Sequence, residues 1–259
     1  MYHVIIQARM GSKRLPGKSL KKFNNISPLE ILVKRIKKIK NIELIVIATT
    51  LLKIDDIFED YAKKLNVKIF RGSNNNVLNR YYSAAKFFNS QNIIRLTADC
   101  PFIDQSTLIK MIKLFNKNKY DYLSNTYPAP CTFPDGSDIE IFNFKSLKKS
   151  KTEVFLPSDK EHVTKYIWKS KKFKCFRLDN KIDLSKYRYT IDIAEDFVLF
   201  KSILKKYKNF LKLDMKKIIK FIDQNPRLTE YQKNIRRNFG WDESLAKDRV
   251  YKKYEIKKK

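Results

Sequence analysis

The sequence predicts an α/β fold: a largely parallel β-sheet flanked by helices, with a helical C-terminal extension. Three observations carry that prediction. Short β-rich runs alternate with helix-period segments over the first half of the chain, and strand–helix alternation at this spacing builds right-handed βαβ units. "ELIVIATT", Glu43 to Thr50, is a near-continuous β-branched run, as in a strand covered on both faces. The 259 residues are 43 % hydrophobic, with 18 Phe and 14 Tyr, enough for one large core with a modest appendage.

"YHVIIQA" opens the chain as a strand. "PLEILVKRIKKI" then sets Leu29, Leu32, Val33, Ile36 and Ile39 at helical spacing behind Pro28,. After the strand "ELIVIATT" come the helix "DDIFEDYAKKL", the strand "VKIFRG" and the helix "NVLNRYYSAAKFF". "NIIRLTADCP" is the next strand, followed by Asp104 as N-cap of a helix burying Leu108, Met111, Ile112 and Phe115,. The pattern breaks at "TYPAPCTFPDG", a Pro-rich loop that reaches over the pocket. "SDIEIFNF" alternates like a half-exposed strand,. A helix starts at Ser158 with the capping box "SDKE", "KCFRL" and "YRYTID" read as strands, and "AEDFVLFKSILKKY" closes the domain near Tyr207,. Residues 1–207 form that domain. Residues 208–259 form an extension with the amphipathic helix "MKKIIKFID" and a frayed basic tail, "KKYEIKKK". There is no internal repeat.

A formal net charge of +29 invites a nucleic-acid reading,. Lys dominates it, however, spread along polar helix faces as in "LVKRIKKIKN" rather than gathered in one stripe, so no specific nucleic-acid partner is expected. Cys100, Cys131 and Cys175 are odd in number and far apart, which excludes a disulfide framework and a zinc site. No signal-like segment opens the chain, and "LIVIATTLL" is too short to span a bilayer,. A cytoplasmic protein with no membrane partner is the expectation.

"IIQARMGSKRLPGK", Ile5 to Lys18, leaves an apolar strand and gathers Arg9, Lys13, Arg14 and Lys18 around Gly11 and Gly17. Backbone N–H groups freed at the glycines and the surrounding cations suit a polyanion. Neither standard phosphate fingerprint, GxxxxGK[ST] or GxGxxG, is present. Asp99 ends the strand "IIRLTA" just before Pro101 and faces the same crevice. A magnesium–nucleotide complex needs one or two such carboxylates. Asp192 with Glu195 makes a complete helix capping box, yet it also ends a strand-like run and is open to a metal role. Asp135, Asp138 and Glu140 suit hydroxyl recognition, a metal contact or a solvated hairpin. His162 reads first as a packing histidine.

Together these segments resemble a known family. "IIQARMGSKRLPGKSL", "FRGSNNNVLNRYYSAA", "IIRLTADCPFID", "FPDGSDIEIF", "SDKEHVTKYI" and "YRYTIDIAEDF" stand in the order and spacing of the spore-coat-polysaccharide-type cytidylyltransferases, relatives of the CMP-sialate and CMP-KDO synthetases. The resemblance covers about residues 2 to 205. It implies a Rossmann-like nucleotide-diphospho-sugar transferase fold and nucleotidyl transfer, CMP from CTP, to a sugar acid, sugar or phosphorylated small molecule, with Mg²⁺ and loss of pyrophosphate, in surface polysaccharide or glycoconjugate precursor synthesis. It implies that Arg9, Gly11, Ser12, Arg14 and Lys18 hold the triphosphate, with Gln7 and Ala8 among the nucleotide contacts. Ala48, Thr49, Arg71 and Arg80 would lie near base and ribose. Asp99 and Asp192 would hold the metal, Arg14, Lys18 and Asp99 would be catalytic, and Asp135, Asp138, Glu140 and His162 would meet the acceptor. The sequence departs from the family at Ala98, where Gly is usual, and at Lys165, where Pro is common. A homodimer is expected, with the helix of "EHVTKYIW" and Trp168 as its patch. The alternatives are a nucleotide-sugar-dependent glycosyltransferase on the same fold and a basic nucleic-acid-binding protein.

Overall fold

Side-chain alternation in the first strand sets the layering. In the computed structural model, which describes residues 1–237 and 240–257, β1 (Tyr2–Gln7) sends Val4 and Ile6 to one face and Ile5 to the other, all fully buried,. Val4 and Ile6 pack with α1 (Pro28–Ile36), α2 (Ile57–Leu65) and α4 (Gln105–Asn118). Ile5 packs with α3 (Val77–Phe87) and α5 (Phe144–Glu153). Helices therefore cover both sides of the sheet, as the β-branched strands require. The helix starts follow local chemistry. Ser27 and Glu30 form a reciprocal capping box for α1, and Asp104 accepts the Thr107 N–H at 2.8 Å to start α4,.

The sheet has seven strands in the order β3–β2–β1–β4–β6–β5–β7. Here β2 is Ile42–Thr50, β3 Lys68–Gly72, β4 Asn92–Thr97, β5 Tyr122–Ser124, β6 Glu140–Asn143 and β7 Cys175–Arg177. Strands β3, β2, β1 and β4 are mutually parallel, β6 runs antiparallel to both neighbours, and β7 is parallel to β5. The remaining helices are α6 (Pro157–His162), α7 (Lys165–Lys169), α8 (Ala194–Lys206), α9 (Met215–Gln224) and α10 (Gly240–Lys257). Phe200, Ile203, Ile218 and Ile222 of α8 and α9 share a third apolar cluster with Ile31 and Phe102. Arg35, wholly buried, donates to the carbonyls of Ile103 at 2.9 Å, Leu213 at 2.7 Å and Phe210.

Four local expectations change. The strand in "SDIEIFNF" is not half-exposed. It sits between β4 and β5, and its polar Glu140 is buried against Arg95 at 2.6 Å. "YRYTID" is not a strand; it contributes one isolated bridge, Arg188 to Asp135. Ser158 is not an N-cap, because α6 begins at Pro157 and the Ser158 hydroxyl bonds Asp248 instead. The tail is not frayed up to Lys257, which ends α10; Lys258 and Lys259 lie outside the described residues. Cys100, Cys131 and Cys175 are free thiols, as expected. Among the described residues no helix is long and apolar enough to cross a membrane.

Candidate active site

The strand order leaves β1 between β2 and β4, so the loops leaving β1 and β4 open side by side at the sheet's carboxyl edge. Ligands of open α/β sheets settle in that crevice. Here it is a cleft of about 850 Å³, near the upper end for ligand sites. Gln7, Ala8, Arg9, Gly11, Ser12, Arg14 and Lys18 line part of it. Met10 is the hub of this basic turn. Its N–H donates to buried Asp55 at 2.7 Å, and its carbonyl accepts from Ser12 at 2.9 Å and Gly17 at 3.0 Å. Gly17 has φ +67, a conformation glycine adopts without strain. Its N–H is thus spent closing the turn rather than cradling a phosphate, whereas Gly11 has open space where a side chain would stand.

Lys18 joins the turn to the carboxylates. Its Nζ lies 2.6 Å from Asp99 and 2.9 Å from Asp192, and Arg14 also bonds Asp192. Burial alone would lower the Lys18 pKa, but the two carboxylates outweigh it and hold the ammonium above its ordinary value. Burial likewise works to raise Asp99, and Lys18 overrides it, keeping the carboxylate below its usual range,. Asp192 is delivered by chain pairing. The Tyr189 N–H donates to the Asp135 carbonyl at 2.8 Å, and the Ile191 N–H donates to the Asp99 carbonyl at 2.8 Å. Asp192 does not cap α8. Asp196, inside the first turn, accepts the N–H groups of Asp192 at 2.8 Å and Ile193 at 3.1 Å. Both Asp192 oxygens are therefore left to the cations.

Asp135 and Asp138 also line the cleft. Their loop abuts the 189–190 backbone so closely that a Cβ on Gly136 (φ +107) would meet the Thr190 nitrogen at 2.4 Å. Asp135 pairs with Arg188, which also bonds Asp196 at 2.8 Å. Asp138 pairs with Arg237 at 3.0 Å. Burial, with Asp135, Glu140 and Asp99 nearby, outweighs Arg237 and pushes Asp138 up to about 7. His162 lines the cleft and stacks on Trp241 with ring centroids 4.1 Å apart. Its Nε2 lies 2.7 Å from the Ser244 hydroxyl. Burial, then Arg95 and Lys165, push its pKa down to about 3, so it is a neutral imidazole. Cys100 also lines the cleft, but burial raises its thiol well above the ordinary value, which leaves it inert,.

Ala48, Thr49, Arg71, Arg80 and Glu140 do not line the cleft. Ala48 and Thr49 are fully buried at the end of β2. Arg71 is held by Asp56 and Glu59 at 2.5 and 2.8 Å. Arg80 lies beneath the loop that carries Asn74 and Asn75 into the cleft and donates to the Ser73 carbonyl at 2.6 Å. Glu140 serves Arg95 and the Thr164 hydroxyl. Arg95, Arg188, Arg237 and Trp241 were not singled out from sequence. Arg95 and Arg188 sit inside segments read as strands, so polar residues there were the available signal. Arg237 and Trp241 belong to the extension, where no motif marked them. Trp168, expected at a contact between copies, stacks within its own chain on Tyr127, ring centroids 5.9 Å apart, and lies 6.0 Å from the Trp241 ring.

Two carboxylates converging on one ammonium nitrogen offer hard oxygen donors to a single cation, which fits Mg²⁺. Among the described residues no third His, Cys, Asp or Glu joins them, so a cation held there would take its remaining ligands from phosphate and water oxygens. Comparison with known proteins agrees with this architecture. The chain is 33 % identical over 232 residues to the spore coat polysaccharide biosynthesis protein SpsF of Bacillus subtilis, covering 86 % of this chain and 94 % of that one. The solved structure of a cytidylyltransferase from Leptospira borgpetersenii superposes with a TM-score of 0.82 at 40 % identity, covering 88 % of this chain and 95 % of the other. A CMP:2-keto-3-deoxy-manno-octonic acid synthetase solved with CTP shares the fold, at TM-score 0.61 and 14 % identity over 79 % of this chain and 98 % of the other. The fold is that of the nucleotide-diphospho-sugar transferases. The family model for cytidylyltransferases matches residues 3–238, and the chain belongs to the cytidylyltransferase family.

Proposed function

We propose that the chain transfers CMP from CTP to a sugar acid with release of pyrophosphate, using Mg²⁺, in the cytoplasm and toward surface polysaccharide or glycoconjugate precursors. The observation that carries this reading is the meeting of Asp99 and Asp192 on Lys18 beside the basic turn. In this reading the basic turn is an anion-binding loop and the two aspartates a cation-binding pair, and the cleft they line has room for a second substrate. Family membership and the polysaccharide role named for the Bacillus relative support the choice of reaction.

In this reading Asp99 and Asp192 hold Mg²⁺, which when bound supplies charge neutralisation on the phosphates. Lys18, released from the carboxylates, and Arg14 bind the departing pyrophosphate. The acceptor hydroxyl oxygen bonds to the α-phosphorus in line as the bond to the α–β bridging oxygen breaks. Pyrophosphate leaves with that electron pair, and the hydroxyl proton is lost to solvent. Positioning and preorganised charge are this chain's share of the acceleration. The protein works as a homodimer in this account, and sedimentation at monomer mass in the micromolar range would remove that part. The reaction itself is tested by measuring pyrophosphate release from CTP, ATP, GTP and UTP against a panel of sugar acids. Release with CTP and an acid is expected. A folded protein that releases none from CTP across the panel overturns the proposal.

A further inference from the structure

Residues on either side of the end of the family match, from Arg237 to Asp248, tie the extension to the cleft at three points. Arg237 bonds Asp138 at 3.0 Å and the Phe133 carbonyl at 2.6 Å, fixing the loop that carries both Asp135 and Asp138. Trp241 lies against His162 on one side and stacks on Tyr127 with ring centroids 5.3 Å apart, so stacked aromatic rings line part of the cleft. Farther along α10, Asp248 accepts the Ser158 N–H at 2.9 Å and stands 3.6 Å from Lys165, whose Nζ also reaches Asp159 at 3.2 Å. Lys165 is the position where the sequence departs from the family's usual Pro. Here it is a buried anchor that docks α10 on α6.

These ties bring Arg236, Trp241 and Lys247 into the lining of the same cleft as the basic turn, with Lys160 and His162. One Asp138 oxygen is held by Arg237, and the other has no hydrogen-bond partner among the described residues. Together these lining residues offer a carboxylate acceptor for hydroxyls, an apolar ring edge for C–H groups, and cations for a carboxylate,.

We propose that Arg237 and Trp241 are specificity-determining residues of the acceptor subsite, which takes a hydroxylated ring acid through its hydroxyls and carboxylate. This rests on the cytidylyltransferase reading, because the acceptor is placed relative to a nucleotide on the basic turn. Arg237 acts by positioning Asp138, and Trp241 by shaping the cleft lining with His162.

The test uses the full chain with CTP and no Mg²⁺, so that the acid binds without turnover, and 3-deoxy-manno-octulosonate as probe with glucose as neutral control, read by saturation-transfer NMR. CTP binding is measured separately by calorimetry. Wild type is expected to bind the acid and not glucose. Trp241→Ala and Arg237→Met should weaken the acid at least about tenfold, equivalent to 1.4 kcal/mol, with CTP affinity unchanged. Trp241→Phe, which keeps an aromatic ring against His162, and Arg237→Lys should recover much of the binding, separating a specific role from general misfolding. Equal binding of the acid by wild type and both truncating variants, or no binding by wild type beside normal CTP binding, overturns this proposal alone. Failure of CTP to bind wild type overturns the underlying reading as well.

Discussion

Replacing Lys18 with Met keeps an unbranched side chain one atom shorter and removes the charge that Asp99 and Asp192 share. The side chains of Lys18, Asp99 and Asp192 are 13 %, 26 % and 14 % exposed. Removing one partner of a buried ion pair costs about 3–5 kcal/mol. The partial exposure of Asp99, and the bond Arg14 still makes to Asp192, place this site at the low end, about 3 kcal/mol. For a domain of this size that corresponds to a melting temperature lower by about 6–12 °C. The two carboxylates left facing each other should then accept a divalent cation without nucleotide. Mg²⁺ at 100 times its dissociation constant would restore about 2.7 kcal/mol, while wild type, with the ammonium in place, should respond far less. Scanning calorimetry of both proteins with and without Mg²⁺ reads this directly. A variant melting within about 1 °C of wild type, with the same Mg²⁺ response, would refute a cation site shared by Lys18, Asp99 and Asp192.

Asp55 holds the Met10 N–H and the Thr50 hydroxyl, so Asp55→Ala leaves the hub of the basic turn unanchored. CTP affinity by calorimetry should fall about tenfold, the equivalent of one lost hydrogen bond to a charged group; unchanged affinity would show that the turn holds itself. His162 is displaced from 6.5 to about 3 in the folded chain. Between those values the unfolded chain takes up a proton that the folded chain refuses, so this group makes stability fall as pH drops from about 6.5 toward 3, by at most about 1.4 kcal/mol per pH unit. Urea melts from pH 4.5 to 7.5 should show a shallower decline on the acid side in His162→Phe, which keeps a ring against Trp241. Equal slopes would mean that the imidazole is hydrated rather than buried.

The parallel half of the sheet was legible because β2 carries a near-continuous β-branched and apolar run and β4 pairs Ile93 and Ile94 with Leu96. Asp99 was legible for a related reason, since a carboxylate at the end of such a strand must face the crevice. β6 was misread because its polar residue is satisfied by a buried arginine, Arg95, that lies 45 residues away in sequence. Sequence alternation cannot distinguish that from solvent. The spacing of Asp192 and Glu195 matched a capping box, but Asp196 performs that task one residue out of frame, which frees Asp192 for Lys18. "YRYTID" is rich in strand-forming residues, yet its hydrogen bonds go to the Asp99 and Asp135 loops. That choice is made by tertiary packing and is not encoded in local propensity. This part of the cleft lining was invisible, because Arg237 and Trp241 gain their meaning only from Asp138 and His162, about 99 and 79 positions earlier.

The central claim is that Asp99 and Asp192 form one cation site serving a nucleotide on the basic turn, and calorimetric titration of CTP with and without Mg²⁺ tests it most directly. It needs no acceptor, and Asp192→Asn leaves the α8 cap, which belongs to Asp196, untouched. In wild type Mg²⁺ should tighten CTP binding at least about tenfold, or 1.4 kcal/mol, and in Asp192→Asn most of that gain should vanish while the melting curve stays cooperative. The same Mg²⁺-dependent gain in both proteins would contradict the account.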